Sequence, residues 1–133
     1  MRIVFADTAF YVAALSARDV NHARAEAIGR TFCERVVTTE YILLEVATFF
    51  CESAHRAVFL GILQALQKDP EVTIVPASAD LWQCGVALFA ARPDKDWSLT
   101  DCISFVVMQD RGITDALAAD HHFEQAGFVA LLK

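Results

Sequence analysis

Asp7 and Asp120 each follow an alanine at the end of a short apolar run, and each precedes residues that suit the start of a helix. Parallel strands of an open α/β sheet present their carboxyl ends at one edge, so the two carboxylates are predicted to meet there. At close range they would repel, and one pKa would rise unless a cation bound between them. Carboxylate oxygens are hard ligands, which favours Mg²⁺ or Mn²⁺. The alternative for Asp7 is that it only caps the following helix.

Glu45 lies within residues 41–50, an otherwise strongly apolar stretch with the length of a helix. An ionised carboxylate in such surroundings costs several kcal/mol unless it is exposed, paired or metal-bound. Helical spacing predicts one polar stripe, formed by Thr38, Tyr41, Glu45, Thr48 and Glu52. Taken by itself, Glu45 is explained more simply by a solvated helix face.

Asp101 ends the segment Ser98-Leu99-Thr100-Asp101, which has the spacing of a capping box with Asp in place of the usual Glu. A carboxylate is favourable in the first turn of any helix, so helix capping is a strong alternative to a catalytic or metal-binding role for Asp101. The hydroxyls of Thr8, Ser98 and Thr100 could position water or phosphate, although helix capping explains all three nearly as well.

The rest of the chain alternates predicted strands with predicted helices. The strands are expected directly before Asp7 and at 36–37, 72–75, 115–118 and 128–131. The helices are expected at 8–15, from 19 or 21 to 34, and at 40–50, 56–67, 78–91, 98–111 and 121–125. This alternation predicts a three-layer α/β/α domain with a central, mostly parallel five-stranded sheet.

Length and charge limit the classes of function. A chain of 133 residues is expected to form a single domain over 1–133 with one core. The net charge of −6 argues against a basic nucleic-acid footprint, but this objection weakens if the acids converge on a divalent cation. Charges interrupt every apolar run before it reaches membrane-spanning length, and the N-terminus lacks the pattern of a signal peptide. We therefore expect a cytoplasmic protein without membrane association.

Several other polar residues have simple interpretations. Cys33, Cys51, Cys84 and Cys102 lack paired spacing and are expected to be reduced core residues. His121 and His122 follow Asp120 and are interpreted as surface histidines. Asp94 and Asp96 could add outer carboxylates, although a charged turn is the commoner explanation. Arg18, Arg24, Arg92 and Lys95 are candidates for phosphate contacts, with solvated charge as the alternative.

The order and surroundings of four acids resemble the PIN domain, in particular the VapC-like toxin ribonucleases. The matching segments are Phe5-Ala6-Asp7-Thr8, Leu43-Leu44-Glu45-Val46, residues 97–102 around Asp101, and residues 119–123 around Asp120, with Phe123 and Gly127 following. The resemblance covers essentially the whole chain. It implies a Mg²⁺- or Mn²⁺-dependent endoribonuclease whose acidic metal-binding quartet is Asp7, Glu45, Asp101 and Asp120. Such carboxylates hold one or two cations while water cleaves a phosphodiester in line.

The apolar helices between Tyr41 and Phe59 predict partner surfaces. Large apolar side chains there exceed what a domain of this size is expected to bury, and they are Leu43, Leu44, Phe49, Phe50, Val58 and Phe59. We therefore expect a homodimer and a small antitoxin protein that docks on these helices. The alternative to a toxin ribonuclease is a catalytically inactive PIN-like metal-binding or protein-interaction module.

Overall fold

Five parallel strands form one sheet in the computed structural model, which describes residues 2–31 and 35–133. The strands are β1 (Ile3–Ala6), β2 (Arg35–Thr39), β3 (Val72–Val75), β4 (Asp115–Leu117) and β5 (Val129–Ala130). Their order across the sheet is β3-β2-β1-β4-β5, and each neighbouring pair is parallel. The predicted fold class is confirmed, and the sheet is parallel throughout.

The helices form two groups by their contacts. They are α1 (Thr8–Leu15), α2 (His22–Thr31), α3 (Glu40–Phe49), α4 (Arg56–Lys68), α5 (Ala79–Ala91), α6 (Leu99–Asp110) and α7 (His121–Gln125). In the first group, α1 contacts α2 and α3, and α3 contacts α4. In the second group, α6 contacts both α5 and α7. None of the described helices is long and apolar enough to cross a membrane.

Strand β1 lies at the centre of the sheet and consists entirely of apolar residues. Val4, Phe5 and Ala6 have no exposed surface, which is expected for a central strand covered on both faces. From β1 the chain adds β2 and β3 on one side, then returns to add β4 and β5 on the other. The strand order therefore reverses between β1 and β4, where the backbone N–H of Asp7 donates to the Leu117 carbonyl at 3.2 Å. Ligands bind open α/β sheets at such a position.

Side-chain caps begin three of the helices where the sequence predicts them. The Thr39 hydroxyl accepts from the Ile42 N–H, the Ser78 hydroxyl from the Leu81 N–H, and Ser98 forms a full capping box. The residue before Pro70 ends α4, as its restricted backbone requires.

Strand β2 is longer than the two residues expected. Thr38 and Thr39 continue its ladder beside Ile74 and Val75, and the Thr38 hydroxyl donates to the Ala6 carbonyl at 3.0 Å. This bond gives the buried Thr38 side chain a partner and fixes the end of β1 beside β2. The predicted end of α2 at residue 34 lies outside the described residues.

The cysteines are not all core residues. Cys102 is fully buried, but Cys51 and Cys84 are exposed, so that prediction is wrong for two of them. Cys51 follows the end of α3, and Cys84 is an exposed residue of α5. Cys33 lies outside the described part of the chain.

Candidate active site

An open cleft of about 620 Å³ lies at the carboxyl edge of the sheet, beside the point where the strand order reverses. Six carboxylates line it: Asp7, Asp19, Glu45, Asp96, Asp101 and Asp120. Within the described residues, neither Lys nor Arg is part of this lining. The cleft is therefore a strongly negative site, and its simplest complement is a cation.

Asp7 stands at the N-cap position of α1, yet its side chain makes no capping hydrogen bond. The residue is only 8% exposed. Burial is the main cause that raises the pKa of Asp7 from 3.8 to about 7, and the charge of Asp101 adds to it. Glu45 and Asp120 act in the same direction, whereas a backbone hydrogen bond from Thr8 opposes them. Capping therefore does not explain Asp7, and its carboxylate faces three others.

Glu45 enters the cleft from α3, where it is half-buried. Its Oε1 atom accepts a hydrogen bond of 2.5 Å from the Thr8 hydroxyl. The predicted polar stripe is wrong at both ends, because Thr38 belongs to β2 and is buried, and Glu52 follows the end of α3. The solvated-face explanation therefore fails for Glu45, which is oriented by a residue of α1.

Asp101 combines capping with a place in the cleft. Its Oδ2 atom accepts from the Ser98 backbone N–H at 3.1 Å, and its own N–H donates to the Ser98 hydroxyl at 3.0 Å. The same Oδ2 atom lies 3.1 Å from Nδ1 of His122. The capping box thus fixes this carboxylate at the cleft, so the two interpretations of the segment do not compete.

Asp120 caps α7 through Oδ1, which accepts from the His122 backbone N–H at 3.0 Å. Its Oδ2 atom lies 3.2 Å from His122 Nδ1, and His121 Nδ1 lies 3.2 Å from Oδ1. The His122 side chain is only 17% exposed, whereas that of His121 is 62% exposed. The interpretation of both as surface histidines is therefore wrong for His122, because the fold brings it between two acids.

The structure brings most of the predicted residues together. The four acids, Thr8 and Ser98 all line the cleft, but Thr100 does not. Asp96 also lines it, whereas Asp94 forms an ion pair with Arg92 outside. The sequence predicted Asp19 only as a possible start of the second helix, but α2 begins at His22 and Asp19 lines the cleft. Its Oδ1 atom accepts from the Asn21 N–H at 2.8 Å. No local sequence pattern predicts that Asp19 or His122 belongs to the site, because tertiary packing brings both residues there.

The donor set fits a hard divalent cation. Several carboxylate oxygens converge, one carboxylate is buried without a cationic partner, and the cleft is open to solvent. Mg²⁺ and Mn²⁺ take such oxygen ligands and retain water in their remaining positions. A site of this kind can polarise a phosphate and activate water.

A family model described as the PIN domain matches residues 4–129 of this chain. A relative from Mycobacterium tuberculosis, the 23S rRNA-specific endonuclease VapC20, is 30% identical over 128 residues. That match covers 96% of this chain and 96% of the relative.

Solved structures show the same fold. The crystal structure of Mycobacterium tuberculosis VapC20, named a sarcin–ricin loop cleaving toxin, has a TM-score of 0.86 and 27% identity, covering 95% of this chain and 96% of that one. VapBC2 from Rickettsia felis, bound to a promoter DNA fragment, has a TM-score of 0.67 and 11% identity over 96% of each chain. FitAcB from Neisseria gonorrhoeae has a TM-score of 0.64 and 15% identity over 96% and 94%.

Proposed function

This chain belongs to the PIN-domain family, and we propose that it is a metal-dependent endoribonuclease acting as the toxin of a toxin–antitoxin pair. On this proposal, residues 1–133 form a single nuclease domain that works in the cytoplasm. The observation that carries it is the buried Asp7 carboxylate, which caps nothing and faces three other carboxylates. Such an arrangement is unfavourable for the protein alone and favourable once a divalent cation is bound.

Asp7, Glu45, Asp101 and Asp120 are the residues that would hold Mg²⁺ or Mn²⁺. When bound, the cation supplies Lewis acidity towards a phosphate and makes an attacking water more acidic. The chain supplies orientation: Thr8 holds Glu45, and Ser98 holds Asp101. Thr8 and Ser98 also line the cleft, where their hydroxyls can bind a phosphate oxygen or a water.

The RNA backbone needs positive charge beside so acidic a cleft. Arg92 and Lys95 line an adjoining cavity of about 580 Å³ that shares Asp96 with the cleft. The Arg92 guanidinium lies over the Trp97 ring at 5.0 Å and pairs with Asp94. These two cations are our candidates for phosphate contacts on the strand that flanks the scissile bond. Arg18 adjoins Asp19 in the sequence and lines a separate groove. Arg24 is exposed but lines neither the cleft nor this cavity.

Ribosomal RNA is the first substrate to test, because the relative at 30% identity is named a 23S rRNA-specific endonuclease. Purified protein is incubated with bacterial ribosomes and with free 23S rRNA in Mn²⁺, Mg²⁺ or EDTA, and cleavage is mapped by primer extension. Asp101→Asn is the test variant, and Asp110→Asn, at the opposite end of the same helix, is its control. We expect metal-dependent cleavage that only Asp101→Asn removes. A folded, metal-binding protein that cleaves no RNA would instead be the catalytically inactive module.

The proposed antitoxin surface is a groove of about 660 Å³ between the end of α1 and the α3–α4 connection. Its apolar lining includes Leu15, Phe49 and Val58, and the exposed Leu44 extends the apolar surface of α3. Leu43 and Phe50 prove to be core residues, and Phe59 is half-buried, so less of the predicted apolar set is available to a partner.

The antitoxin proposal is tested in cells by co-expression with the product of the neighbouring reading frame. Wild-type protein is expected to arrest growth, and the neighbouring product is expected to relieve the arrest. Leu44→Asp combined with Phe49→Asp should prevent this relief, whereas Val129→Asp, an exposed apolar residue of β5, should not. Growth arrest that the neighbouring product never relieves would contradict the proposal.

A second apolar surface lies on α5, where Trp82, Val86 and Phe89 are exposed at helical spacing. We propose it as the contact of the homodimer, because the same helix face on two copies is self-complementary. Light scattering at micromolar concentration is expected to give a dimer for the wild type and a monomer for Val86→Asp. A wild-type monomer at every concentration would contradict this assignment.

A further inference from the structure

His122 occupies a position that the proposed acidic quartet does not require. Its Nδ1 atom lies 3.1 Å from Asp101 Oδ2 and 3.2 Å from Asp120 Oδ2, and its side chain is 17% exposed. Its backbone N–H also donates to Asp120 Oδ1 at 3.0 Å. One short turn therefore holds the imidazole and a carboxylate together, while the capping box of α6 fixes the second carboxylate.

The separation of His122 Nδ1 from each of the two carboxylate oxygens is that of neighbouring ligands around one cation. Octahedral ligands at about 2.1–2.2 Å from an ion lie about 3.0–3.1 Å from each other, since adjacent ligands subtend a right angle. The measured separations of 3.1 and 3.2 Å lie within a few tenths of an ångström of this value. A single ion can thus contact the ring nitrogen and either of these carboxylate oxygens with little movement of the chain. Among the described residues, Asp120, His121 and His122 form a group whose potential ligand atoms lie within 4.8 Å of one another.

We propose that His122 is itself a metal ligand, through Nδ1, and that it gives the cleft a preference for Mn²⁺ over Mg²⁺. Imidazole is a ligand of transition-metal ions, whereas Mg²⁺ is bound through oxygen. Mn²⁺ suits a set of ligands rich in carboxylates, and as a transition-metal ion it also accepts an imidazole nitrogen. The location of the site rests on the proposed nuclease function, but binding of Mn²⁺ through nitrogen can be measured without any RNA.

The adjacent residue, His121, provides a matched control. Its ring lies 4.6 Å from that of His122, and its Nδ1 atom lies 3.2 Å from Asp120 Oδ1. Within the described residues it makes no ion pair with Asp101, and its side chain is 62% exposed. His121 and His122 are the same residue type and lie next to each other in the same helix. They differ in contact with Asp101, so only His122 connects the two carboxylates.

The test is electron spin-echo envelope modulation of Mn²⁺ bound to the full-length protein, combined with calorimetry of Mn²⁺ and Mg²⁺. The wild type and His121→Ala are expected to show ¹⁴N coupling from a directly bound imidazole. His122→Ala is expected to lose this coupling and to bind Mn²⁺ at least about tenfold more weakly, with little change for Mg²⁺. Circular dichroism checks the fold of each variant, and His122→Gln replaces the alanine variant if that one does not fold.

Bound Mn²⁺ without ¹⁴N coupling in the wild type would overturn the inference without any variant. So would coupling that persists in His122→Ala, or that is lost only in His121→Ala. Such results would leave the imidazole as a hydrogen-bond donor between two carboxylates. The proposed nuclease function fails on a different result, namely RNA that stays intact while Mn²⁺ binds, so the two failures can be distinguished.

Discussion

The acidic cleft and the contact between α5 and α6 show opposite uses of close packing. In the cleft, Asp7 is buried beside other carboxylates, and this costs stability until a cation is bound. Between α5 and α6, Gly85 lies so close to Ile103 that a Cβ atom there would stand 2.3 Å from Ile103 Cγ1. Close packing in one region concentrates like charge, and in the other it lets two helices meet. Asp7 thus lowers the stability of the metal-free protein, whereas Gly85 permits a close helix contact that contributes to stability.

The largest expected effect comes from Asp7→Asn, which removes one charge and keeps the shape of the side chain. RNA cleavage is expected to fall by about 10²–10³-fold, as when one preorganised electrostatic group is lost. The measurement is single-turnover cleavage in Mn²⁺, with Asp110→Asn as a control on the exposed end of α6. Full activity in Asp7→Asn would remove Asp7 from the site.

The same variant is expected to be more stable than the wild type in EDTA. The pKa of Asp7 is about 7 in the folded protein and about 3.8 in the unfolded chain, so the folded state binds more protons between these values. Stability contributed by this proton is present at low pH and is lost as pH rises through 7. We expect Asp7→Asn to raise the unfolding free energy at pH 8 by about 1–4 kcal/mol and by little at pH 4. Urea unfolding at both values measures this, and equal gains at the two values would contradict it.

A smaller effect on stability is expected at the contact between α5 and α6. Gly85→Ala should lower the unfolding free energy by about 1–3 kcal/mol, because Ile103 is buried and must move. Gly61→Ala in α4 is the control, since a Cβ atom there meets nothing within 4 Å. It should raise stability by about 0.5–1 kcal/mol. A neutral Gly85→Ala would show that the α5–α6 contact is looser than described.

Thr8→Val tests the orientation of a single ligand within the cleft. Loss of the hydroxyl that donates to Glu45 should reduce Mn²⁺ affinity by about tenfold, the lower end of effects measured for residues that orient ligands. Thr48→Val is the control, because that hydroxyl donates to the Leu44 carbonyl on the exposed side of α3. Calorimetry distinguishes the two variants, and equal affinities would show that Thr8 does not orient Glu45.

Local signals in the sequence predicted most of the fold. The caps at Thr39, Ser78 and Ser98 and the alternation of strands and helices are properties of short segments, and the structure has them where expected. The carboxylates of Asp7 and Asp120 were predicted to meet because both follow parallel strands. These strands, β1 and β4, are direct neighbours in the sheet.

Contacts between distant segments could not be predicted in this way. His122 contacts Asp101, which is 21 residues away, and Asp19 reaches the cleft from the connection between α1 and α2. The exposure of Cys51 and Cys84 likewise depends on which helix faces remain uncovered. Composition and periodicity describe segments, whereas these features depend on how the segments pack.

Calorimetric titration of Mn²⁺ into the wild type and Asp7→Asn at pH 7.5 tests the central claim most directly. The wild type is expected to bind Mn²⁺ and to release protons on binding, because the ion displaces the proton that the Asp7 carboxyl retains at a pKa of about 7. Asp7→Asn should bind at least about tenfold more weakly and release fewer protons. Equal affinity and equal proton release in the two proteins would show that the buried carboxylate does not bind the metal.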